Sequence, residues 1–584
     1  VTSTRHLPNL ALLLALAALL FFLNLGAMGL TDRDEGRNAE AGREMFETGD
    51  WVTPTFNHEL RVAKPVFLYW LMSASYRLFG VNEFAARFPS ALFGLALIAM
   101  QYLVLSRARS PAIGLFGSLM LLVNVEIISL SRMALTDSVL IFFTTLSLYG
   151  FWLGLHGEGH ARHWVWCYYI GMALATLTKG PVGFIIPSLI VALYLTATRR
   201  WDTYWRYGYP LAGTLVFGVL ALPWYVAMLA IHGSAYAGPA QAHTIGRFLS
   251  PMEGHSFSLF FYFPVLFFGF FPWSGSLPVA LYQALHGWRE ARDRTETQDP
   301  RTEAQSSALS SQPWDLEFFA AIWIAVVFLF FTLSSTRLPH YIGPLFPAAA
   351  LLTASYWSRV LLEARTAGAR ASIHLTMGLG YLLALGFAAL PSLYSSNLDK
   401  LVKEFPLAAQ VDLGNGPYII SVVLLIGMAL VGYFGLNENR RAGAFWAAGA
   451  TLACVVLLVL VIVAPHLNRY VISPPQELAY AAGLNLNPTD RFIVYGTTRP
   501  SSAFYARRKI IFIQQDEEAN ILPYINQPGR TMILLPARLR SRLPQETAGF
   551  PIILQRFGYI LLANQPMVKI QENATPPPVN IPGH

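Results

Sequence analysis

The stretch "GLTDRDEGRNAE" at residues 29–40 gathers two aspartates, two glutamates and two arginines directly after an apolar run, residues 7–31, that carries no charge. Asp34 is the acid of interest in it. A carboxylate there can take a proton from an attacking group, orient a bound ligand, or cap the helix that follows. A second acid, Asp137 in "SRMALTDS" (131–138), stands at the start of another apolar run with the same options. Cations accompany the pair: Arg37, Lys64 in "RVAKP" (61–65), Arg132, Lys179, Arg247 and Arg337. Any one of them can snorkel to lipid headgroups. Single cations converging on one face also suit an anionic ligand such as a lipid phosphate, since lysine offers a point charge and arginine a fork. Glu126 lies inside an apolar run, where a carboxylate is expensive, so it belongs either to the same cavity or to a nearby arginine. Glu83, His243, His255 and His340 fall near the ends of such runs, but none follows a compact ligand spacing such as H-E-x-x-H. Hydrogen-bonded interfacial histidines account for them. If a divalent metal binds, His255 with Glu83 is the pair to hold it; no other cofactor is indicated.

The elements that must position these groups are membrane helices. Of the 584 residues, 54% are hydrophobic and 13% charged, against about 25% charged in a soluble domain. A spanning helix takes roughly 20 apolar residues. Thirteen candidate spans follow, near 9–29, 88–106, 112–130, 138–155, 164–178, 181–198, 209–231, 257–280, 316–334, 341–357, 372–390, 417–435 and 444–464. The first is too long for a signal-peptide core and reads as an anchor. With the N-terminus in the cytoplasm, the inner loops collect Arg107 and Arg109, Arg199 and Arg200, Arg289 and Arg292, and Arg440 and Arg441, as basic residues favour that side. The odd span count then puts the loop 30–87 and the region 465–584 outside.

Two segments of that first loop read as helices lying in the interface: one from Asp34, with Ala39, Gly42 and Phe46 on one face, and one over 66–80 with Tyr69, Trp70, Tyr76 and Arg77. Residues 286–314 read as a polar inner loop. The chain divides into a membrane body, 1–464, and an outer domain, 465–584, where strands "RFIVYG", "KIIFI", "TMILLP" and the hairpin "PIILQRFGYILLA" alternate with short helices as a small α/β sheet. Twelve basic residues outnumber seven acids in that domain. Cys167 and Cys454 both lie inside spans, so no structural disulfide is expected.

"DRDEGRNAEAGREMFETGDW" followed by "RVAKPVFLYWL" and "NEFAARFPSALFG" resembles the first outer loop of membrane glycosyltransferases of the GT-C type, a pattern that protein O-mannosyltransferases and bacterial aminoarabinose transferases share. "LTKGPVG" (177–183), "QAHTIGRFLSPMEGHSFSLFFYFP" (241–264) and "TRLPHYIGPLFP" (336–347) are similar to the bacterial branch. The resemblance implies a polytopic α-helical GT-C fold of about 13 spans with interfacial helices and an outer soluble domain. It implies an undecaprenyl-phosphate-linked sugar as donor and a lipid A phosphate as acceptor, in the bacterial inner membrane, with membrane lipids but no nucleic acid as further partners. By motif, Asp34 takes the place of the catalytic acid with Arg37 beside it, Asp137 that of the second acid, and Lys64, Lys179 and Tyr341 those that handle the carrier phosphate. Arg247 and Arg337 join them from the charge pattern. Two rivals stand beside this reading. A hexosyl transferase acting on protein or glycan would share most of these residues. A lipid-linked-substrate transporter would show two similar halves with helices interrupted at midplane, and no such repeat is visible.

Overall fold

In lipid, a backbone must satisfy its own hydrogen bonds, so each apolar run becomes a helix. The computed structural model describes residues 6–32, 34–157, 159–246, 248, 258–297, 314–363, 367–404, 408–411 and 413–566. Among them, eight helices are long and apolar enough to cross a membrane, or up to ten if each of two bent pairs is one span. Each of the thirteen apolar runs contains a helix, but among the described residues not all of these helices are full spans. Leu7–Phe22 and Val182–Thr198 are shorter apolar helices, and Val165–Lys179 has 15 residues. The run 112–130 is broken: Pro111–Leu122 and Val125–Ser131 meet at 66°. Tyr262–Gly269 and Trp273–Asp293 meet at 116°. The expected polar loop at 286–314 begins as helix, since Leu277–Thr297 is continuous.

The first loop, 30–87, folds as two helices, Asp34–Thr48 and Phe67–Phe79, with a two-stranded hairpin between them pairing Thr55–Phe56 with Glu59–Leu60. The face expected from Ala39, Gly42 and Phe46 is the one that packs. Tyr76 donates its hydroxyl to the Ala39 carbonyl at 3.0 Å, and a Cβ on Gly42 would come within 2.9 Å of Met72 Cβ. A larger side chain at 42 would therefore push the two helices apart.

The last membrane helix does not stop where its apolar run ends. Helical structure runs from Glu438 to Asn485 and leads into a five-stranded sheet in the order Ile511–Ile513, Arg491–Tyr495, Thr531–Pro536, Tyr559–Ala563, Ile552–Arg556. The first two pairings are parallel and the last two antiparallel. Alternation along the strands gives the sheet two buried faces. Phe492, Val494, Leu534 and Leu561 meet Leu478 and Ala482 of the preceding helix on one side, and Ile493, Ile533 and Ile560 pack on the other.

The region of this sheet is tied to the first loop. Asp32 accepts from Arg499 at 2.8 Å and from the backbone and hydroxyl of Ser501 at 3.1 and 2.6 Å. Tyr505 accepts from the Leu30 N–H at 3.0 Å and donates to Glu83 at 2.8 Å. Arg499→Ala removes a charge-assisted bond from a mostly buried pair. It is expected to lower stability by about 1.5–3 kcal/mol, read as a fall in the unfolding temperature of the detergent-solubilised protein. An unchanged temperature would mean that the loop is held elsewhere.

Candidate active site at the junction of two cavities

Asp34 owes its position to the residues just after it. Glu35 is fully buried and accepts from the backbone and hydroxyl of Thr31, both at 2.7 Å, and from the Ala134 N–H at 2.9 Å. Arg87 grips the same carboxylate at 2.8 and 3.1 Å. The other guanidinium N–H groups reach the carbonyls of Leu25, Met28 and Gly29 beyond the end of the first helix. Burial by itself would raise the Glu35 pKa; the charge of Arg87 and these hydrogen bonds outweigh it and hold the carboxyl below its usual range. One turn on, Asn38 donates to the Ala134 carbonyl at 3.0 Å and accepts from Arg61 at 2.9 Å. Glu35 and Asn38 thus hold both backbone groups of Ala134, three residues before Asp137. The helix Asp34–Thr48 is thereby fixed against the start of Thr136–His156.

That clamp brings the two sequence-designated acids to one place. Lys64 Nζ lies 4.0 Å from Asp34 Oδ2, and Lys179 Nζ 2.5 Å from Asp137 Oδ1. His340 Nε2 stands 4.0 Å from the same Asp137 oxygen, in the field of Lys179, Lys64 and Asp34 as well. Lys179 also lies 4.7 Å from the centroid of the Tyr341 ring, a cation–π distance. The Asp34 side chain is 37% exposed and that of Asp137 5%. One acid is therefore open to a ligand, and the other is held in the wall by its lysine.

Two cavities meet at this cluster. The first, about 740 Å³, is lined by Asp32, Asp34, Glu126 and His340 together with apolar groups from Val125–Ser131 and Tyr262–Gly269. The second, about 580 Å³, carries Lys64, Lys179 and Tyr341 at one end, and its remaining wall is largely apolar, including Ile185, Leu229 and Phe331. The Asp34–Lys64 pair and the adjacent His340 and Tyr341 straddle the boundary. One cavity is acidic; the other is basic at its head and greasy along its length.

Other expected residues lie elsewhere. Arg37 is half-buried on the helix of Asp34 and lines neither cavity. Arg337 donates to the Thr332 carbonyl at 3.1 and 2.9 Å, and Arg132 to that of Leu20 at 2.7 Å. Both act on carbonyls at helix ends, a common use of basic side chains. Arg247 and His255 fall outside the described residues. Glu83, the other half of the suggested metal pair, accepts from Tyr505, and no group of three or more metal-ligating side chains occurs among the described residues. The clamp of Glu35, Asn38, Arg61 and Arg87 was not anticipated. Its signal was the density of acids around Asp34, more than one active site needs.

Comparisons with known proteins bear on this arrangement. A family model described as dolichyl-phosphate-mannose-protein mannosyltransferase matches residues 9–235. Undecaprenyl phosphate-alpha-4-amino-4-deoxy-L-arabinose arabinosyl transferase 2 of Pseudomonas fluorescens is 30% identical over 405 residues, 68% of each chain. The arabinosyl transferase of the same description from Edwardsiella ictaluri is 28% identical over 563 residues, 94% of each chain. Among solved structures, ArnT from Cupriavidus metallidurans bound to undecaprenyl phosphate superposes with a TM-score of 0.72 at 23% identity, covering 95% of this chain and 98% of that one. At that identity the superposition speaks for the fold.

Proposed function

The chain belongs to the undecaprenyl phosphate-α-4-amino-4-deoxy-L-arabinose arabinosyl transferase family, and from that premise we propose that it moves 4-amino-4-deoxy-L-arabinose from undecaprenyl phosphate to lipid A phosphates. It is a multi-pass inner-membrane glycosyltransferase. The proposed topology keeps the N-terminus in the cytoplasm, and the first loop and the region 465–584 in the periplasm. The observation that carries the reading is the meeting of the two cavities at Asp34–Lys64. The basic, apolar one suits a prenyl phosphate, and the acidic one suits a cationic sugar.

The charge balance of the reaction says what the residues do. The bond from the sugar's C1 to the carrier phosphate breaks, and a bond from C1 to an acceptor phosphate oxygen forms. The carrier goes from diester to monoester while the acceptor goes from monoester to diester. One negative charge thus moves from acceptor to carrier, with no proton gained or lost. Lys64 and Lys179 stabilise the charge arriving on the leaving phosphate, a task for preorganised cations rather than a general acid. The sugar passes through an oxocarbenium-like state, and Asp34 supplies the negative charge facing it. Asp137 holds Lys179 in place. The proposed course is a single displacement with inversion, in which Asp34 faces the developing positive charge without bonding to C1.

The test uses purified protein with undecaprenyl-phosphate-linked aminoarabinose and lipid A, following release of undecaprenyl phosphate. Wild-type protein should turn over only when lipid A is present. Lys64→Ala and Lys179→Ala should each reduce kcat/KM about 10²–10³-fold, the cost of removing one preorganised group that stabilises developing charge. Turnover with a peptide or glycan acceptor in place of lipid A would instead support a hexosyl-type transferase. Near-normal rates in both lysine variants would remove the phosphate site from this location.

A further inference from the structure

The two broken membrane helices meet beside a half-buried acid, Glu126. Asn124, in the break between Pro111–Leu122 and Val125–Ser131, donates through Nδ2 to the Gly269 carbonyl at 2.9 Å, at the end of Tyr262–Gly269. Glu126 stands two residues on, in the wall of the acidic cavity with Asp34 and His340. Its Oε1 is buried and has no hydrogen-bond partner among the described residues. The charged groups acting on it are Asp137 and Lys179, and Lys179 is already engaged at 2.5 Å by Asp137. The backbone comes close to the carboxyl at two glycines: a Cβ on Gly269 would stand 3.4 Å from Oε2, and one on Gly343 3.6 Å from Oε1, both in ordinary contact. Irregular backbone at membrane depth is tolerated where it lines a cavity, and here it delivers an acid to one.

A carboxyl placed in such a wall near a second acid, with no counter-ion of its own, is costly. A cation brought by the ligand removes that cost. In the donor, C4 lies across the sugar ring from C1. With the phosphate on Lys64 and Lys179, the far side of the ring points away from the basic cavity and into the acidic one. Resting on the donor assigned above, we propose that Glu126 receives the sugar's 4-ammonium group and sets the preference for an amino sugar over a neutral one.

The experiment compares two undecaprenyl-phosphate donors, the aminoarabinose and its L-arabinose counterpart with a hydroxyl in place of the amine, on wild type, Glu126→Gln and Glu126→Asp. The readout is the ratio of kcat/KM for the two donors, which does not depend on how much of a variant is folded. Glu126→Gln should shrink that ratio by roughly 10–100-fold, the worth of a hydrogen bond to a charged group, and Glu126→Asp should retain more of it. A ratio within about twofold of wild type in Glu126→Gln, the smallest change counted as an effect against that span, would overturn the inference while leaving the transferase reading intact. Failure of the wild type to transfer either donor would sink the transferase reading, and this inference with it.

Discussion

Asp34→Asn is expected to lower kcat about 10²–10³-fold, the cost of losing one preorganised group that stabilises transition-state charge, with the protein still folded. Three observations set this expectation. Asp34 is the most open of the clustered acids, with 37% of its side chain exposed. It lines the acidic cavity and lies 4.0 Å from Lys64, which lines the basic one. It is also the first residue of the helix Asp34–Thr48 rather than the one before it, and the first-turn N–H of Gly36 is satisfied by the Thr31 carbonyl at 3.0 Å. A capping role therefore accounts for less of Asp34 than the sequence allowed. The variant should show a kcat defect with little change in unfolding temperature. A large fall in that temperature with proportionate loss of activity would return Asp34 to a structural role. Because transfer between phosphates releases no proton, any rising limb of the pH profile should follow the second ionisation of the acceptor phosphate, at about pH 6, and should persist in Asp34→Asn rather than vanish as a limb set by a catalytic base would.

Arg87→Leu is expected to cost about 3–5 kcal/mol, the usual penalty for leaving one member of a buried ion pair without its partner. Arg87 is 3% exposed and Glu35 fully buried, at 2.8 Å. The same guanidinium holds the carbonyls of Leu25, Met28 and Gly29. Removing it loosens the first helix, the loop helix and the contact with Ala134 together. The expected result is poor recovery of folded protein from the membrane, or a sharply lower unfolding temperature. An Arg87→Leu variant with wild-type stability would show that the clamp does not hold the loop. Glu35→Gln keeps one accepting oxygen where Ala134 and Thr31 donate to two, so it too should lower the unfolding temperature.

Much of this architecture is legible in the sequence because hydropathy and charge are properties of short segments. The two loop helices can be read from the spacing of Ala39, Gly42 and Phe46, and the outer sheet from strands such as "RFIVYG" and "TMILLP". Asp34, Asp137, Lys64, Lys179 and Tyr341 lie close together in the structure. What was not legible depends on direction and partner. A hydropathy window averages across Asn124 and Gly269, so it reports one span where the chain bends by 66° or 116°. A count of cations does not distinguish a guanidinium aimed at a ligand from one aimed at backbone, and Arg132 and Arg337 are of the second kind. The Glu35–Arg87 pair joins positions 52 residues apart in the chain. Nothing local to either residue says that the two will meet, and a run of acids beside one catalytic candidate gives only the hint that some of them serve the fold.

The most direct test is mass spectrometry of lipid A from bacteria that lack their own aminoarabinose transferase but make the donor, expressing either this chain or its Asp34→Asn variant. Gain of an aminopentose on the lipid A phosphates with the wild type, and its absence with a variant present at equal level in the membrane, is the expected result. Unmodified lipid A in the presence of well-expressed wild-type protein, or equal modification by both proteins, would contradict it.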